Sequence, residues 1–318
     1  MRGAMTAAGV AAWFRGRRVF VTGGTGFFGK SLLDAVRRLG WQDTEFVLLS
    51  RDPEGFARSV PELAALPGVR LVSGDVRSFA FPSGRFDLVL HGAVPALTGM
   101  LPGEQRSIIV EGSRRVLEFV RACGAARVLM ISSGAVYGPQ PPELEKLPED
   151  FPCRPVTEYG VAKLEAERMF LDSGVPTAVA RGFAFVGRHL NRDIHFAIGN
   201  FIRDVLAGRE IVVKGDGTAI RSYLYADDLA EWLLTLAARP EEKLVCNVGS
   251  DRAVSIRELA GAVSRALGRE IPIRVLTPVD PGRPVERYVP SIEFAGSLGL
   301  RVKTDLEAAI RRSAGIED

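Results

Sequence analysis

A glycine-rich turn near the start of the chain constrains the fold more than any other feature. The segment from Arg17 to Thr22 has the apolar pattern of a short strand, and three glycines spaced GxxGxxG follow it before a helical pattern. In such a turn the first glycine makes the tight bend, the second lets a pyrophosphate approach the backbone, and the third lets helix and strand pack closely. Glycines that merely shape a turn are the alternative. The residues predicted to bind a dinucleotide here are Gly23, Thr25, Gly26, Phe27, Phe28 and Gly29.

Strand and helix patterns alternate through the first half of the chain. Apolar runs predict strands at 45–50, 69–73, 86–90 and 127–131. Helices are predicted to about residue 39, over 111–123 and over 159–171. Such alternation implies right-handed crossovers and a doubly wound parallel sheet of the Rossmann type, an α/β fold. Ligands of that fold bind at the carboxyl ends of the strands.

The length of 318 residues suggests one large α/β domain with an elaboration, or two domains. We expect a leader segment at 1–16, a dinucleotide-binding domain at 17–186 with about 222–250, and a smaller discontinuous substrate lobe at 187–221 and 251–318. The 41 basic and 38 acidic residues nearly cancel, and no basic block stands out. A nucleic-acid partner is therefore not expected.

The cysteines and the apolar runs indicate in which cellular compartment the protein is expected. Cys123, Cys153 and Cys246 are far apart and lack CxxC spacing, so neither a disulfide framework nor a metal site is expected. No apolar run reaches the roughly 18 residues that span a bilayer. The N-terminal segment lacks the apolar core of a signal peptide. We expect a cytoplasmic protein without a membrane partner.

The residues after the second predicted strand bear on which dinucleotide binds. Chains that bind NAD carry an acidic residue there, which accepts hydrogen bonds from the ribose. This chain has Ser50 and Arg51. A guanidinium can pair with a 2′-phosphate that a carboxylate would repel, so NADP(H) is favoured. NAD(H) stays possible, because Asp52 follows and Arg51 could be a solvated loop residue.

Two further strand ends supply candidate cofactor contacts. Asp75, which follows the third strand and precedes Val76, could accept a hydrogen bond from the adenine amino group or only cap the next turn. The fourth strand leads into His91, Gly92 and Ala93, where small residues would let the cofactor lie across the strand end. A lone histidine is more often a packed core residue than a catalyst, and that alternative stays open for His91.

Tyr159 and Lys163 are four residues apart on a predicted helix and therefore share a face. A lysine ammonium beside the phenol favours the phenolate, so we expect the pKa of Tyr159 to be lowered. Such a tyrosine can move a proton to or from a sugar hydroxyl or carbonyl. Lys163 can also contact the nicotinamide ribose, and Ser133, at a central strand end, could donate to the same substrate oxygen. These three residues are the predicted catalytic set.

Together these motifs resemble the extended short-chain dehydrogenase/reductase family of nucleotide-sugar epimerases, dehydratases and reductases. The matching segments are TGGTGFFG, GDV, SSGAVYG, YGVAK, NFI, GDGTAIRSYLYADDL and NVGS. The resemblance implies Tyr159 as acid/base, Lys163 as its pKa modulator and ribose contact, and Ser133, four residues before Tyr137, as ligand of the substrate oxygen. It also implies a homodimer built on the helix that carries Tyr159.

The resemblance places the substrate, a nucleotide-diphosphate sugar, against the later half of the chain. Asn200 and Arg221 match family residues that bind the diphosphate. Arg283 is the best match for a second arginine of this clamp. Arg287 is its rival, because GRPVER replaces the usual RxGD pattern.

Departures from the family pattern narrow the expected reaction. Gly134 and Ala135 stand where 4,6-dehydratases carry an Asp-Glu pair, which argues against water elimination. Ile109 and Ala184 stand where relatives carry asparagines. The pattern looks most like the branch that makes deoxy-sugar nucleotides, such as CDP-abequose synthase.

The expected activity is therefore NADP(H)-dependent reduction of a nucleotide-linked keto-sugar. Hydride would pass to the sugar carbonyl and Tyr159 would supply the proton. A redox-neutral NAD-dependent epimerase is the alternative. A non-catalytic dinucleotide-sensing protein is a less favoured one.

Overall fold

The computed structural model describes residues 3–41, 43–93, 103–194 and 196–316. In chain order its strands are β1 (Arg18–Thr22), β2 (Glu45–Ser50), β3 (Val69–Ser73), β4 (Leu88–His91), β5 (Arg127–Ser133), β6 (Thr177–Gly182), β7 (Phe185–Val186), β8 (Ile211–Val213), β9 (Ile220–Arg221), β10 (Leu224–Tyr225), β11 (Lys243–Val248), β12 (Val254–Ser255), β13 (Ile273–Val275) and β14 (Arg287–Tyr288).

The α-helices alternate with these strands, and a 3₁₀ turn at Gly134–Tyr137 follows β5. The helices are α1 (Ala7–Phe14), α2 (Phe27–Arg38), α3 (Pro53–Ser59), α4 (Pro61–Ala64), α5 (Glu104–Cys123), α6 (Glu158–Leu171), α7 (Ala197–Leu206), α8 (Ala226–Ala238), α9 (Ile256–Ala266), α10 (Glu293–Ser297) and α11 (Leu306–Ala314).

Seven strands form one parallel sheet in the spatial order β11-β6-β5-β4-β1-β2-β3. The direction in which strands are added reverses between β1 and β4, where Val21 lies opposite Leu48 on one side and Leu90 on the other. This confirms the doubly wound α/β sheet expected from the sequence. A crevice opens at such a reversal point, outside the carboxyl ends of the strands.

Helices cover both faces of the sheet. Successive side chains of a strand point to opposite faces, so neighbouring residues of β1 enter different hydrophobic clusters. Val19 and Val21 pack in a cluster with residues of α2 and α8, whereas Phe20 packs in a second cluster with residues of α5 and α6. The near-continuous apolar runs of the sequence follow from this double burial.

Some boundaries differ from those expected. Strand β5 continues to Ser133, because Ser132 and Ser133 still pair with Arg181 and Gly182 of β6; a polar side chain does not interrupt a backbone ladder. Helix α5 begins at Glu104, after Gly103 with φ of +78°, rather than at residue 111.

A smaller group of elements lies beyond β7. It contains the three-stranded sheet β12-β9-β14 and the pair β13-β8, with α7, α9 and α11 sharing a hydrophobic cluster. Ala295, Leu298 and Leu300 instead pack in the cluster of the main sheet, as do Val10 and Phe14 of α1. The domain boundaries given above stay a prediction. Among the described residues, no helix has the length and apolarity to cross a membrane.

Candidate active site

The loop between β1 and α2 is tightly fitted at two of its glycines. Gly23 has φ of +74°, and a Cβ atom there would lie 2.4 Å from the carbonyl oxygen of Gly92. A Cβ atom at Gly29 would lie 2.1 Å from the carbonyl oxygen of Gly24. Side chains at these positions would displace backbone, so both glycines are required by the packing of the loop itself.

Gly26 differs, because nothing in the described protein crowds it. A Cβ atom there would meet only the carbonyl oxygen of Gly23, at 3.4 Å, and its φ of −89° suits any residue. Gly26 is also the N-cap of α2, where no side chain caps the first N–H groups and no acidic residue lies in the first turn. This fits a pyrophosphate, which approaches the backbone closely and accepts from a helix N-terminus.

The end of β2 presents a guanidinium rather than a carboxylate. Arg51 is exposed, whereas Asp52 caps α3 by accepting a 2.8 Å hydrogen bond from the Gly55 N–H. Ser50 Oγ accepts a 3.2 Å hydrogen bond from the Asp52 N–H. The carboxylate that kept NAD possible is therefore engaged in a local cap.

Asp75, at the end of β3, forms a two-pronged ion pair with Arg77. Arg77 Nε donates to Oδ1 and Nη2 donates to Oδ2, each at 2.9 Å. The hydrogen bond from Arg77 holds the pKa of Asp75 below its usual value, and Arg51 adds to the effect. Sequence analysis missed Arg77, although its position two residues after Asp75 on a turn was a signal for such a contact.

The side chain of His91 is buried in the core. Its Nδ1 is 2.7 Å from Thr22 Oγ1 and its Nε2 is 3.0 Å from Ser113 Oγ. Burial, assisted by the charge of Lys163, lowers the pKa of His91 to about 3, so the ring is neutral. The packed-core alternative therefore describes this side chain.

Three other residues that were predicted to contact the dinucleotide are Gly92, Ala93 and Val76. Gly92 and Ala93 lie at the end of β4, where the Ala93 N–H donates to Thr22 Oγ1 at 3.2 Å. Val76 is buried, and a Cβ atom at Gly112 would lie 2.8 Å from its Cγ1. Their contacts with a dinucleotide stay predictions.

The predicted catalytic residues meet at the carboxyl end of β5. Tyr159 lies in the first turn of α6, where a Cβ atom at the neighbouring Gly160 would lie 2.6 Å from the carbonyl oxygen of Ala135, two residues after Ser133. Lys163 Nζ lies 6.0 Å from the centroid of the Tyr159 ring and donates a 2.9 Å hydrogen bond to the Ile131 carbonyl. Ser133 Oγ also accepts a 3.2 Å hydrogen bond from the Ala135 N–H. The cluster combines a phenol, a hydroxyl and an amine beside the crevice.

The expected direction of the Tyr159 pKa shift was wrong. Burial of the phenol raises the pKa of Tyr159, and the nearby Ser133 hydroxyl, which acts in the opposite direction, offsets this only in part. Burial also lowers the pKa of Lys163 to about 8, with Glu167 acting in the opposite direction. Tyr159 is thus a protonated phenol at neutral pH, and Lys163 is still mostly charged.

A buried ionic network behind this cluster was not found from the sequence. Arg181 of β6 donates to both carboxylate oxygens of Glu167, with a shortest distance of 2.8 Å, and from Nη1 to the Tyr137 hydroxyl at 3.0 Å. The Tyr137 hydroxyl donates to Asn247 Oδ1 at 2.8 Å. Glu167 lies one helical turn after Lys163, so the network fixes the part of α6 that carries the lysine.

Two of the predicted diphosphate arginines approach the same carboxylate. Arg283 Nη2 donates to Glu286 Oε1 at 2.8 Å, and Arg221 Nη2 lies 3.6 Å from Glu286 Oε2. Glu286 is more than half exposed. Arg287, the rival of Arg283, begins β14, where it pairs with Ile220 through the backbone. Arg221 and Arg283, the arginines predicted to bind the diphosphate, therefore converge on one acidic group that was not expected from the sequence.

Asn200, on α7, carries a buried Oδ1 atom that has no hydrogen-bond partner among the described residues. A buried polar atom without a partner is costly unless a ligand satisfies it. Within the described residues, no group of three or more His, Cys, Asp and Glu side chains could hold a metal ion.

Comparison with known proteins shows to which family the chain belongs. The model of the NAD-dependent epimerase/dehydratase family matches residues 19–249, which include the glycine loop and the catalytic cluster. The chain belongs to this family. It is thereby an enzyme of the extended short-chain dehydrogenase/reductase type, as the sequence motifs implied.

Members of the family resemble the chain along most of its length. UDP-glucose 4-epimerase of Streptomyces lividans is 31% identical over 285 residues, which cover 80% of this chain and 82% of the relative. The structure of MoeE5 in complex with UDP-glucose and NAD is 26% identical, with a TM-score of 0.78 and coverage of 94% of this chain and 97% of that one.

A third similarity concerns the fold alone. UDP-N-acetylglucosamine 4-epimerase of Methanobrevibacter ruminantium is 21% identical and superimposes with a TM-score of 0.82. The superposition covers 95% of this chain and 98% of the chain of that enzyme. The same fold therefore extends over the elements beyond β7 as well as the sheet.

Proposed function

We propose that the protein reduces the carbonyl group of a nucleotide-diphosphate keto-sugar with NADPH. The observation that carries this proposal is the placement of Tyr159 and Lys163 at the end of β5, with the Lys163 amine 6.0 Å from the centroid of the Tyr159 ring and bonded to the Ile131 carbonyl, two residues before Ser133. NADPH would supply the hydride. Tyr159 would give its proton to the sugar oxygen, while Ser133 donates a hydrogen bond to that oxygen.

The choice of NADPH rests on the end of β2. Arg51 is exposed beside the strand end, and the nearest carboxylate, that of Asp52, is engaged as the cap of α3. Arg77 adds a second guanidinium near the adenosine end of the crevice, tied to Asp75. A 2′-phosphate would meet two cations there and no unpaired carboxylate.

The substrate class rests on the later half of the chain. Arg221 and Arg283 converge on one acidic group, which is the arrangement a diphosphate would use. The buried Oδ1 of Asn200 adds a group in need of a partner. The relative from Streptomyces lividans and the MoeE5 complex are named for UDP-glucose, which supports a nucleotide sugar here too.

A redox-neutral epimerase is the second candidate, and the comparisons favour it. The relative that is 31% identical is a UDP-glucose 4-epimerase, and the MoeE5 complex contains NAD. An epimerase would use Tyr159 first as base and then as acid, with hydride taken from and returned to the same substrate. Tightly held NAD without net consumption of cofactor would mark this reaction.

The nucleotide that accompanies the purified protein separates the two candidates. We would denature the protein, identify the released dinucleotide, and follow NADPH absorbance with CDP-, dTDP-, GDP- and UDP-linked keto-sugars. A reductase consumes NADPH with one of them, and Tyr159→Phe abolishes turnover while NADPH binding stays nearly intact. Retained NAD with no consumption of NADPH supports the epimerase instead.

We also propose a homodimer formed through α5 and α6. Val161 on α6 and Val156, which precedes the helix, are 45% and 72% exposed, so two large apolar side chains near the start of α6 are left uncovered. Sedimentation should give twice the chain mass of 34.4 kDa. Val161→Asp should shift the protein to the monomer.

A further inference from the structure

Helix α6 carries two buried ionisable side chains one turn apart. Lys163 is 3% exposed and Glu167 is 1% exposed. Residues four apart on a helix are neighbours on one face, so a lysine and a glutamate at this spacing can form an ion pair. Burial would strengthen such a pair, because little water is present to compete with it. The spacing alone therefore predicts an ion pair between Lys163 and Glu167.

The structure does not form that pair. Lys163 Nζ donates to the Ile131 carbonyl at 2.9 Å, and it takes part in no ion pair among the described residues. The Glu167 carboxylate is instead bound by Arg181 of β6, whose Nε donates to Oε1 at 3.1 Å and whose Nη2 donates to Oε2 at 2.8 Å. One guanidinium therefore engages both carboxylate oxygens.

Arg181 is itself held by groups that lie outside α6. Its Nη1 donates to the Tyr137 hydroxyl at 3.0 Å and to the Glu149 carbonyl at 3.2 Å. Tyr137 in turn donates to Asn247 Oδ1 of β11 at 2.8 Å. The position of the guanidinium is therefore set by β6, β11 and the 3₁₀ turn after β5, and the Glu167 carboxylate is drawn to it.

Without this guanidinium the Glu167 carboxylate would have a competing partner on its own helix. A buried charge that loses its partner is strongly unfavourable, so the carboxylate would take the cation that lies one turn away, the Lys163 ammonium. That ammonium would leave the Ile131 carbonyl and turn along α6, away from the Tyr159 ring whose centroid lies 6.0 Å from it.

We propose that Arg181 is a positioning residue that holds the Glu167 carboxylate away from Lys163 and thereby leaves the lysine amine at the end of β5, beside Tyr159. The inference deepens the proposed function, on which the catalytic meaning of Lys163 rests. The pairing of Arg181 with Glu167 requires neither cofactor nor substrate, so it can be tested apart from the reaction.

The other titratable and charged groups around the two side chains stay unchanged in the test. They are His91 on β4, Tyr159 and Arg168 on α6, Tyr137 in the 3₁₀ turn, and Glu149 and Cys153 before α6. Burial raises the pKa of the Tyr137 phenol to about 12 and also raises that of the Cys153 thiol, so both groups are neutral near pH 8.

Titration of Lys163 by NMR tests the inference without any turnover. Protein with ¹³Cε-labelled lysine has six such signals, and that of Lys163 is the one missing in Lys163→Met. In the wild type, burial lowers the pKa of Lys163 to about 8. In Arg181→Met the freed carboxylate should pair with the ammonium, and Lys163 should titrate about 1–3 pH units higher, the range for an opposite charge close by.

A double variant separates this effect from a general loss of packing. Arg181→Met combined with Glu167→Leu replaces the buried ion pair by apolar side chains, an exchange that is often neutral for stability. Without the carboxylate, Lys163 should titrate no higher than in the wild type. Arg239→Met is the matched control, since Arg239 is a buried arginine that donates to both carboxylate oxygens of Glu241 between α8 and β11. It should leave the Lys163 titration unchanged.

Arg181→Lys decides the matter if Arg181→Met does not fold. Its ammonium keeps a cation beside Glu167 but cannot hold both carboxylate oxygens in a fork, so Lys163 should again titrate higher, by a smaller amount. An unchanged or lowered titration of Lys163 in the folded single variants, or a double variant that titrates as high as Arg181→Met, would overturn the proposal while leaving the reaction class untouched. A protein that shows the raised titration but reduces no keto-sugar would contradict the proposed function alone.

Discussion

Lys163 Nζ donates a 2.9 Å hydrogen bond to the carbonyl oxygen of Ile131. Ile131 lies two residues before Ser133 on β5, so this bond ties α6, the helix that carries Tyr159, to the strand end that carries Ser133. The amine cannot approach the Tyr159 phenol freely, because it is held 6.0 Å from the ring centroid. The backbone of β5 therefore fixes where the Lys163 amine lies relative to the Tyr159 ring.

Arg51→Ala should weaken NADPH binding far more than NADH binding. A hydrogen bond to a charged group contributes about 1.5–3 kcal/mol, which corresponds to about 10- to 100-fold in Kd. Calorimetric titration with both dinucleotides measures the effect. Arg58→Ala is the control, since Arg58 pairs with Glu54 on the exposed side of α3. An equal loss for both dinucleotides would remove the support for NADPH.

Glu286→Gln should tighten the binding of inorganic pyrophosphate or UDP. The Glu286 carboxylate competes with an anionic ligand for Arg221 and Arg283, and an exposed ion pair contributes about 0.2–1 kcal/mol, so we expect a gain of up to about fivefold in affinity. Arg221→Ala should weaken the binding of the same two ligands.

The matched control for this prediction is Glu210→Gln. Glu210 forms an ion pair of 2.7 Å with Arg274 in the same lobe, and neither residue was predicted to bind substrate. Its variant should bind pyrophosphate as the wild type does. Weaker binding in Glu286→Gln would show that the carboxylate supports the clamp rather than competing with the ligand.

Because of His91, the free energy of unfolding should decrease as the pH falls. The folded-state pKa is about 3, whereas an unfolded histidine titrates near about 6.5. Between these values the unfolded chain binds a proton that the folded chain does not, so stability falls with pH by at most about 1.4 kcal/mol per unit. Urea denaturation at several pH values between 7.5 and 5 should show a smaller slope for His91→Asn. Equal slopes would mean that the ring is protonated in the fold.

The parts of the site that could be predicted are those that local sequence encodes. Double burial gives each strand an apolar run, the turn after β1 needs glycine at Gly23 and Gly29, and four-residue spacing places Tyr159 and Lys163 on one helical face. These features depend on neighbours in the chain. They were sufficient for the fold and the family, and the catalytic roles of Tyr159 and Lys163 stay predictions.

The parts that could not be predicted depend on long-range packing. Glu286 lies where GRPVER replaces the family pattern, so no motif predicted its contacts with Arg221 and Arg283. Tyr288 lies more than 140 residues after Ser133, and the pairing of β14 with β9 brings its hydroxyl beside Gly134. The direction of the Tyr159 pKa shift depends on burial, which the spacing of two residues does not reveal. The expectation based on Lys163 alone therefore had the wrong sign.

The most direct test of the proposed reaction is a single-turnover experiment with NADPH deuterated at nicotinamide C4 on the transferred face. With a nucleotide-linked keto-sugar as substrate, we expect one deuterium in the sugar product for each NADPH oxidised, and no product from Tyr159→Phe. Interconversion of sugar epimers without deuterium in the product, and with NAD retained by the protein, would contradict the account.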